Sequence, residues 1–192
     1  MEGINRALKI QSINKAIRIL ESISNEEVPC IFISYQRKDQ DYASEVADYI
    51  KSKQLDVYFD LEDNDLKLAN QTLNPADVTD AIKKGLNQSQ YMIVIVSPTT
   101  YSSPWVPFEV GYAYDKKDEK LKILRHKGIS KNSIPAYLKV KEVLKGTFSL
   151  NNFLNSIRNN YLVYENLIRK GEQVKAFSSY TSNPLSEYLD NE

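Results

Sequence analysis

The sequence predicts a parallel α/β sheet covered by helices on both faces, and three observations carry that reading. Tyr91-Met92-Ile93-Val94-Ile95-Val96 is an unbroken apolar run that empties into Ser97-Pro98, a composition suited to a strand buried on both faces. Shorter apolar runs, Cys30-Ile31-Phe32-Ile33-Ser34-Tyr35, Leu55-Asp56-Val57-Tyr58-Phe59-Asp60 and Leu121-Lys122-Ile123-Leu124, stand before and after it. The segments between these runs have the length and spacing of helices, so strand and helix alternate along the chain.

The elements follow in order. Ile10, Ile13, Ile17 and Leu20 recur at spacings of three and four within residues 3–24, with Lys9, Lys15 and Arg18 between them. This predicts an amphipathic helix in an N-terminal segment, 1–27, packed on the domain or on a second copy in preference to a membrane surface. After the first strand a helix is expected from Asp39 to Lys53. The second strand leads into a polar loop, Leu61 to Asn74, and past Pro75 into a helix around Ala76 to Leu86. The third strand is the run at Tyr91. Ser102 or Ser103 can cap a helix starting at Pro104, where a missing N–H costs nothing, and Trp105 and Glu109 then share one face. A helix starting at Pro107 instead leaves Trp105 in the loop. That helix ends near Lys116-Lys117, a fourth strand follows, and Lys141 to Leu144 gives a short fifth one. Ser149 can cap the last helix, in which Phe153, Leu154, Ile157, Tyr161, Tyr164 and Ile168 recur at helical spacing. The body of the domain is thus expected over 28–170, with a C-terminal helix or tail, 171–192, that carries no strong periodicity.

Composition excludes several functions. A chain of 192 residues suits one domain with added helices. Its 25 basic residues balance 25 acidic ones, so no global field draws in nucleic acid or an anionic membrane. Cys30 is the single cysteine, which rules out an intramolecular disulfide and fits a reducing compartment. No run approaches the roughly 20 apolar residues of a membrane helix. Asn5, Arg6, Lys9, Gln11 and Ser12 interrupt any secretory core. A soluble, cytoplasmic protein is expected. Six scattered glycines do not build a phosphate-cradling loop, and His126, the only histidine, has no neighbouring cysteine, so neither a metal site nor a bound cofactor is expected. The 13 tyrosines read as core and interface filling.

Four short motifs then bear on family. Phe32-Ile33-Ser34-Tyr35, Val57-Tyr58-Phe59-Asp60, Ile95-Val96-Ser97-Pro98 and Trp105-x-x-x-Glu109 stand in the order and spacing of a TIR domain, which the chain resembles over residues 29–158. The resemblance implies a flavodoxin-like, five-stranded parallel sheet, in agreement with the periodicity. The chain departs from the family in its loop from Leu61 to Pro75, which lacks the glycine commonly found there. Its N-terminal helix and C-terminal tail lie outside the shared core.

TIR domains divide into adaptors that assemble and enzymes that cleave NAD at the nicotinamide glycosidic bond, and the enzymes resemble one another in a glutamate after the third strand, here Glu109. Nicotinamide leaves a ribosyl pyridinium as a neutral base, so no acid is needed to protonate it. A carboxylate near the ribose has to stabilise an oxocarbenium-like cation. The plain reading of Glu109 is a solvated helix residue or one half of a salt bridge. Trp105 either stacks on a nicotinamide or adenine ring or anchors its helix. Tyr35, Gln36 and Arg37 emerge at the carboxyl end of the first strand, where such sheets present ligands. Arg37 contacts a pyrophosphate or pairs with Asp39 or Asp41. Ser34 and Ser97 hydrogen-bond ribose or end the sheet, and Asp60 and Glu62 hold a ribose hydroxyl or cap the loop. The resemblance, closest to bacterial stand-alone TIR enzymes of antiphage systems such as Thoeris, implies an NAD glycohydrolase or cyclase. The resemblance further implies NAD as the substrate, a product that activates a separate effector protein, and a homo-oligomer built through TIR–TIR contacts. The alternative is a non-enzymatic scaffold acting by homotypic assembly.

Overall fold

The computed structural model describes residues 2–7, 28–59, 75–169 and 183–192. Five strands, β1 (Cys30–Ser34), β2 (Asp56–Tyr58), β3 (Tyr91–Val96), β4 (Leu121–Arg125) and β5 (Val143–Leu144), form one sheet in the order β2-β1-β3-β4-β5. Every pairing is parallel, with Ile31 opposite Val57 on one side of β1 and Ile33 opposite Ile93 on the other. The helices are α1 (Gln40–Ser52), α2 (Pro75–Gln88), α3 (Val106–Lys117) and α4 (Thr147–Arg169). This is the flavodoxin-like architecture that the alternation of strands and helices predicts. The strand order reverses between β1 and β3, and a crevice at the carboxyl ends of those two strands is where such sheets place ligands.

The period of two along each strand sorts the core into two layers. Cys30, Phe32, Met92, Val94, Val96, Leu121 and Ile123 face α2 and α3, against Val78, Ile82, Leu86, Val106 and Val110. Ile31, Ile33, Val57, Ile93, Ile95 and Leu124 face α1 and α4, against Val46, Ile50, Leu150, Leu154 and Ile157. By that parity Ser34 continues the first layer and Ser97 the second. The Cys30 thiol is fully buried and burial pushes its pKa up to about 11, so it packs as a small apolar residue and is not a reactive thiolate.

Three boundaries differ from expectation, each for a physical reason. Residues 2–7 do not open a helix. Val57 N–H donates to Ile4 O at 2.9 Å and Arg6 N–H to Val57 O at 2.8 Å, so Asn5 bridges Val57 in parallel and the segment covers the free edge of β2. The Arg6 guanidinium meets the Asp56 carboxylate at 2.9 Å with both side chains almost fully buried. The rest of the expected amphipathic helix, 8–24, lies outside the described residues, as do Asp60 and the loop 61–74. Helix α3 starts at Val106, not Pro104, with Trp105 as its flanking residue and Pro107 in its first turn. Helix α4 starts at Thr147, so Ser149 is not its cap. Ser149 Oγ instead reaches back to accept Gly146 N–H at 3.0 Å. The Asp190 and Glu192 carbonyls accept the Thr147 and Phe148 N–H groups at 2.9 and 2.7 Å, supplying from the tail the partners that a helix start needs.

Residues 183–192 of the tail are a built part of the core. Leu185 and Leu189 are buried in the α1/α4 layer. Tyr188 stacks on Tyr42 with centroids 4.5 Å apart, and its hydroxyl donates to Glu45 at 2.9 Å. Asp190 pairs with Arg125 at 2.7 Å and runs against Gly146, where a Cβ would lie 2.3 Å from the Asp190 carbonyl oxygen. Only glycine permits that approach. Among the described residues no helix is long and apolar enough to cross a membrane.

Candidate active site

Two strand exits bring the site together. β1 ends at Ser34, whose parity points its hydroxyl toward α3. β3 leaves through Ser97 into a short turn, Thr100–Ser102, and then α3. Ser103 Oγ accepts Val106 N–H at 3.2 Å, so one of the two expected serines does satisfy the first amide of that helix. Glu109 N–H donates to Trp105 O at 2.9 Å, the first bond of the helical ladder. Glu109 therefore stands in the first turn, where the helix dipole favours a negative charge.

Glu109 is buried, with 5% of its surface exposed, and Ser34, also buried, donates its hydroxyl to Glu109 Oε2. A carboxylate taken out of water at this cost is held by hydrogen bonds. The solvated-helix reading of Glu109 does not describe this geometry. The arrangement is a buried, oriented negative charge beside the β1/β3 reversal, able to stabilise a cation that forms against it.

The other expected residues distribute as follows. Trp105 is half-buried, packs on the α2/α3 layer, and meets Phe108 edge-on with centroids 6.1 Å apart at 85°. It anchors the start of α3 and is tied to Glu109 through its backbone carbonyl. Tyr35 is half-buried and packs on Phe59 at 5.3 Å. Arg37 is exposed and, among the described residues, pairs with neither Asp39 nor Asp41. Ser97 faces the opposite layer, where its hydroxyl donates to Asp39 Oδ2 at 2.5 Å. Its place is a brace between loops, not a partner of Glu109. Asp60 lies outside the described residues. Among the described residues no group of three or more His, Cys, Asp or Glu is placed to hold a metal ion.

Gln36, at the exit of β1 as expected, donates from Nε2 to Ser102 Oγ at 2.9 Å across the strand reversal. The structure adds two tyrosines that the sequence reading did not point to. Tyr101 donates its hydroxyl to Ser133 O at 2.9 Å, linking the turn after β3 to the turn after β4. Next to it Tyr137, in the turn Ala136–Leu138, has its pKa raised by burial and then by Tyr101 and the Glu109 carboxylate. The available signal was Ile134-Pro135-Ala136-Tyr137-Leu138, a proline turn held between apolar residues, and Ile134 and Leu138 are indeed both buried.

Residues 31–150 match the family model described as the TIR domain. Among solved structures, a metazoan TIR-STING receptor from C. gigas in complex with 2',3'-cGAMP superposes with a TM-score of 0.50 at 19% identity, covering 68% of this chain and 42% of that one. A second structure of a metazoan TIR-STING receptor from C. gigas gives 0.49 at 19% identity, over 71% and 43% of the two chains. This chain thus spans less than half the length of those receptors, and at that identity the likeness is one of fold. No curated protein matches.

Proposed function

This chain belongs to the TIR-domain family, and we propose that it is an enzyme that cleaves the nicotinamide–ribose bond of NAD, with Glu109 as the catalytic residue. The observation that carries the reading is the buried Glu109 carboxylate, fixed by the Ser34 hydroxyl beside the reversal of strand order. In the reaction the ribose C1′–N bond breaks, both electrons leave with nicotinamide, and the pyridinium charge passes to the ribosyl carbon. Glu109 opposes that charge as it forms, and its hydrogen-bonded orientation needs no reorganisation at that moment. Water capturing the cation and releasing a proton gives ADP-ribose. Capture by a nucleophile of the same molecule, where water is excluded, gives a cyclic product.

NAD is the substrate in this reading, with no further cofactor. Trp105 and Tyr35 offer aromatic faces, and Arg37 offers a cation, paired with no carboxylate among the described residues, for the rest of the dinucleotide. Contacts between copies complete the site. The product serves as a signal to a separate effector protein in antiphage immunity, inside the cytoplasm. The test is to incubate the protein, concentrated and with a crowding agent, with NAD and follow nicotinamide and ribosyl products by chromatography and mass spectrometry, with E109Q alongside. Nicotinamide release lost in E109Q supports the enzyme, and the product mass separates hydrolysis from cyclisation. NAD left intact, with assembly preserved in both proteins, would establish the non-enzymatic scaffold instead.

A further inference from the structure

Beyond the Ser34–Glu109 contact, two bridges tie the loop after β1 to the loop after β3. Asp39 Oδ2 accepts the Ser97 hydroxyl at 2.5 Å and the Thr99 hydroxyl at 2.7 Å. Gln36 Nε2 donates to Ser102 Oγ, which itself donates to Thr99 O at 2.7 Å. The segment held in this way is stiff. Thr99 N–H donates to Ser97 Oγ at 3.0 Å, Ser97 N–H to Thr100 Oγ1 at 2.8 Å, and Ser103 N–H to Thr100 O at 3.0 Å. Ser103 in turn accepts the first amide of α3. A continuous chain of hydrogen bonds therefore runs from Asp39 to the helix turn that carries Trp105 and Glu109.

We infer that Asp39 is a positioning residue for Glu109, the pin that fixes the β3 exit loop and so sets where the Glu109 carboxylate stands relative to Ser34. Its effect on catalysis rests on the proposed role of Glu109, while its effect on the loop does not. Asp39 acts from the opposite face of the sheet, since Ser97 points into the α1/α4 layer and Ser34 into the α2/α3 layer. It holds two hydroxyls on one ionised oxygen, and charge-assisted bonds are the strong ones. Without it, Ser97, a buried residue, and Thr99 lose their common acceptor, and the turn Thr100–Ser102 keeps only the Gln36 bridge across the reversal. Displacing a reacting group by about 1 Å is enough to cost up to about a hundredfold in rate.

Trp105 is the only tryptophan in the chain, so its fluorescence reports on this loop without any reference to activity. D39A, D39N and T99V are compared with the wild type for emission maximum, acrylamide quenching, and kcat and KM for NAD, all well below each protein's Tm. The expected result for D39A is a red-shifted, more readily quenched Trp105 and a kcat about tenfold to a hundredfold lower with KM within about twofold. D39N, which keeps a carbonyl acceptor, and T99V, which keeps the Ser97 bond, fall between and serve where D39A does not fold. Trp105 emission and quenching that match the wild type in the folded variants overturn the inference, as does a fall in Tm with kcat and KM unchanged. A wild-type protein that leaves NAD intact removes the proposed function alone, and the fluorescence comparison then decides the role of Asp39.

Discussion

Asn5→Ala removes one side chain from the N-terminal segment and disconnects three backbone groups. Asn5 Oδ1 accepts the N–H of Phe59 at 3.0 Å and of Ala7 at 3.1 Å, while Nδ2 donates to Phe59 O at 3.1 Å. The residue is 2% exposed, so the amide behaves as an extra rung of the sheet placed where β2 ends. A buried backbone group left without a partner costs about 1–3 kcal/mol. Three such groups, partly rehydrated in the space the amide vacates, cost about 3 kcal/mol together. In a domain of this size 1 kcal/mol moves Tm by about 2–4 °C, so Asn5→Ala should melt about 6–12 °C below the wild type. Thermal unfolding followed by circular dichroism measures this, with urea unfolding to check that the m-value is unchanged. Asn5→Asp keeps the acceptor, loses the donor, and should fall between. A Tm for Asn5→Ala within about 1 °C of the wild type would refute the reasoning, because the segment would then contribute nothing to the folded unit.

Two further outcomes follow from the geometry. Ser34→Ala removes the donor to Glu109 Oε2, a bond to a charged group of about 1.5–3 kcal/mol, and should lower kcat for NAD about tenfold to a hundredfold, read by steady-state nicotinamide release. The second concerns pH. Burial depresses the His126 pKa below its ordinary 6.5, Lys127 adding to the shift and Asp39 and Asp190 opposing it. The unfolded chain then binds the proton more readily than the folded one, so stability is lost as pH falls below the unfolded value and through the folded pKa. His126→Gln should remove that part of the decline in Tm between about pH 7 and about pH 5.5, a window in which this chain has no other histidine to titrate.

Much of the fold was legible because the strands obey simple patterns. The apolar run at Tyr91 suited a doubly covered strand, and β3 is indeed the central one, paired with β1 and β4. Parity along β1 was also in the sequence, and extending Cys30 and Phe32 by two residues assigns Ser34 to the layer that holds Val106 and Val110. The pairing of Ser34 with Glu109 was not legible, because it joins positions 75 residues apart and depends on where α3 starts. Pro104 and Pro107 both permit a helix start, and only packing decides for Val106. The bridge made by residues 2–7 was not legible for a different reason. Ile10, Ile13, Ile17 and Leu20 carry a helical period, but residues 2–7 answer to the unpaired edge of β2 and to the buried Asp56 carboxylate, both about 50 residues away. Residues 183–192 showed no period because they supply carbonyls to α4 and two leucines to a core layer, which asks little of local pattern.

The most direct test of the central claim is single-turnover nicotinamide release by E109Q and wild type, with NAD binding measured on the same samples by saturation-transfer NMR. The expected result is that both proteins bind NAD and only the wild type releases nicotinamide, the mutant being slower by at least about a hundredfold. Release by E109Q at the wild-type rate would contradict the assignment of Glu109.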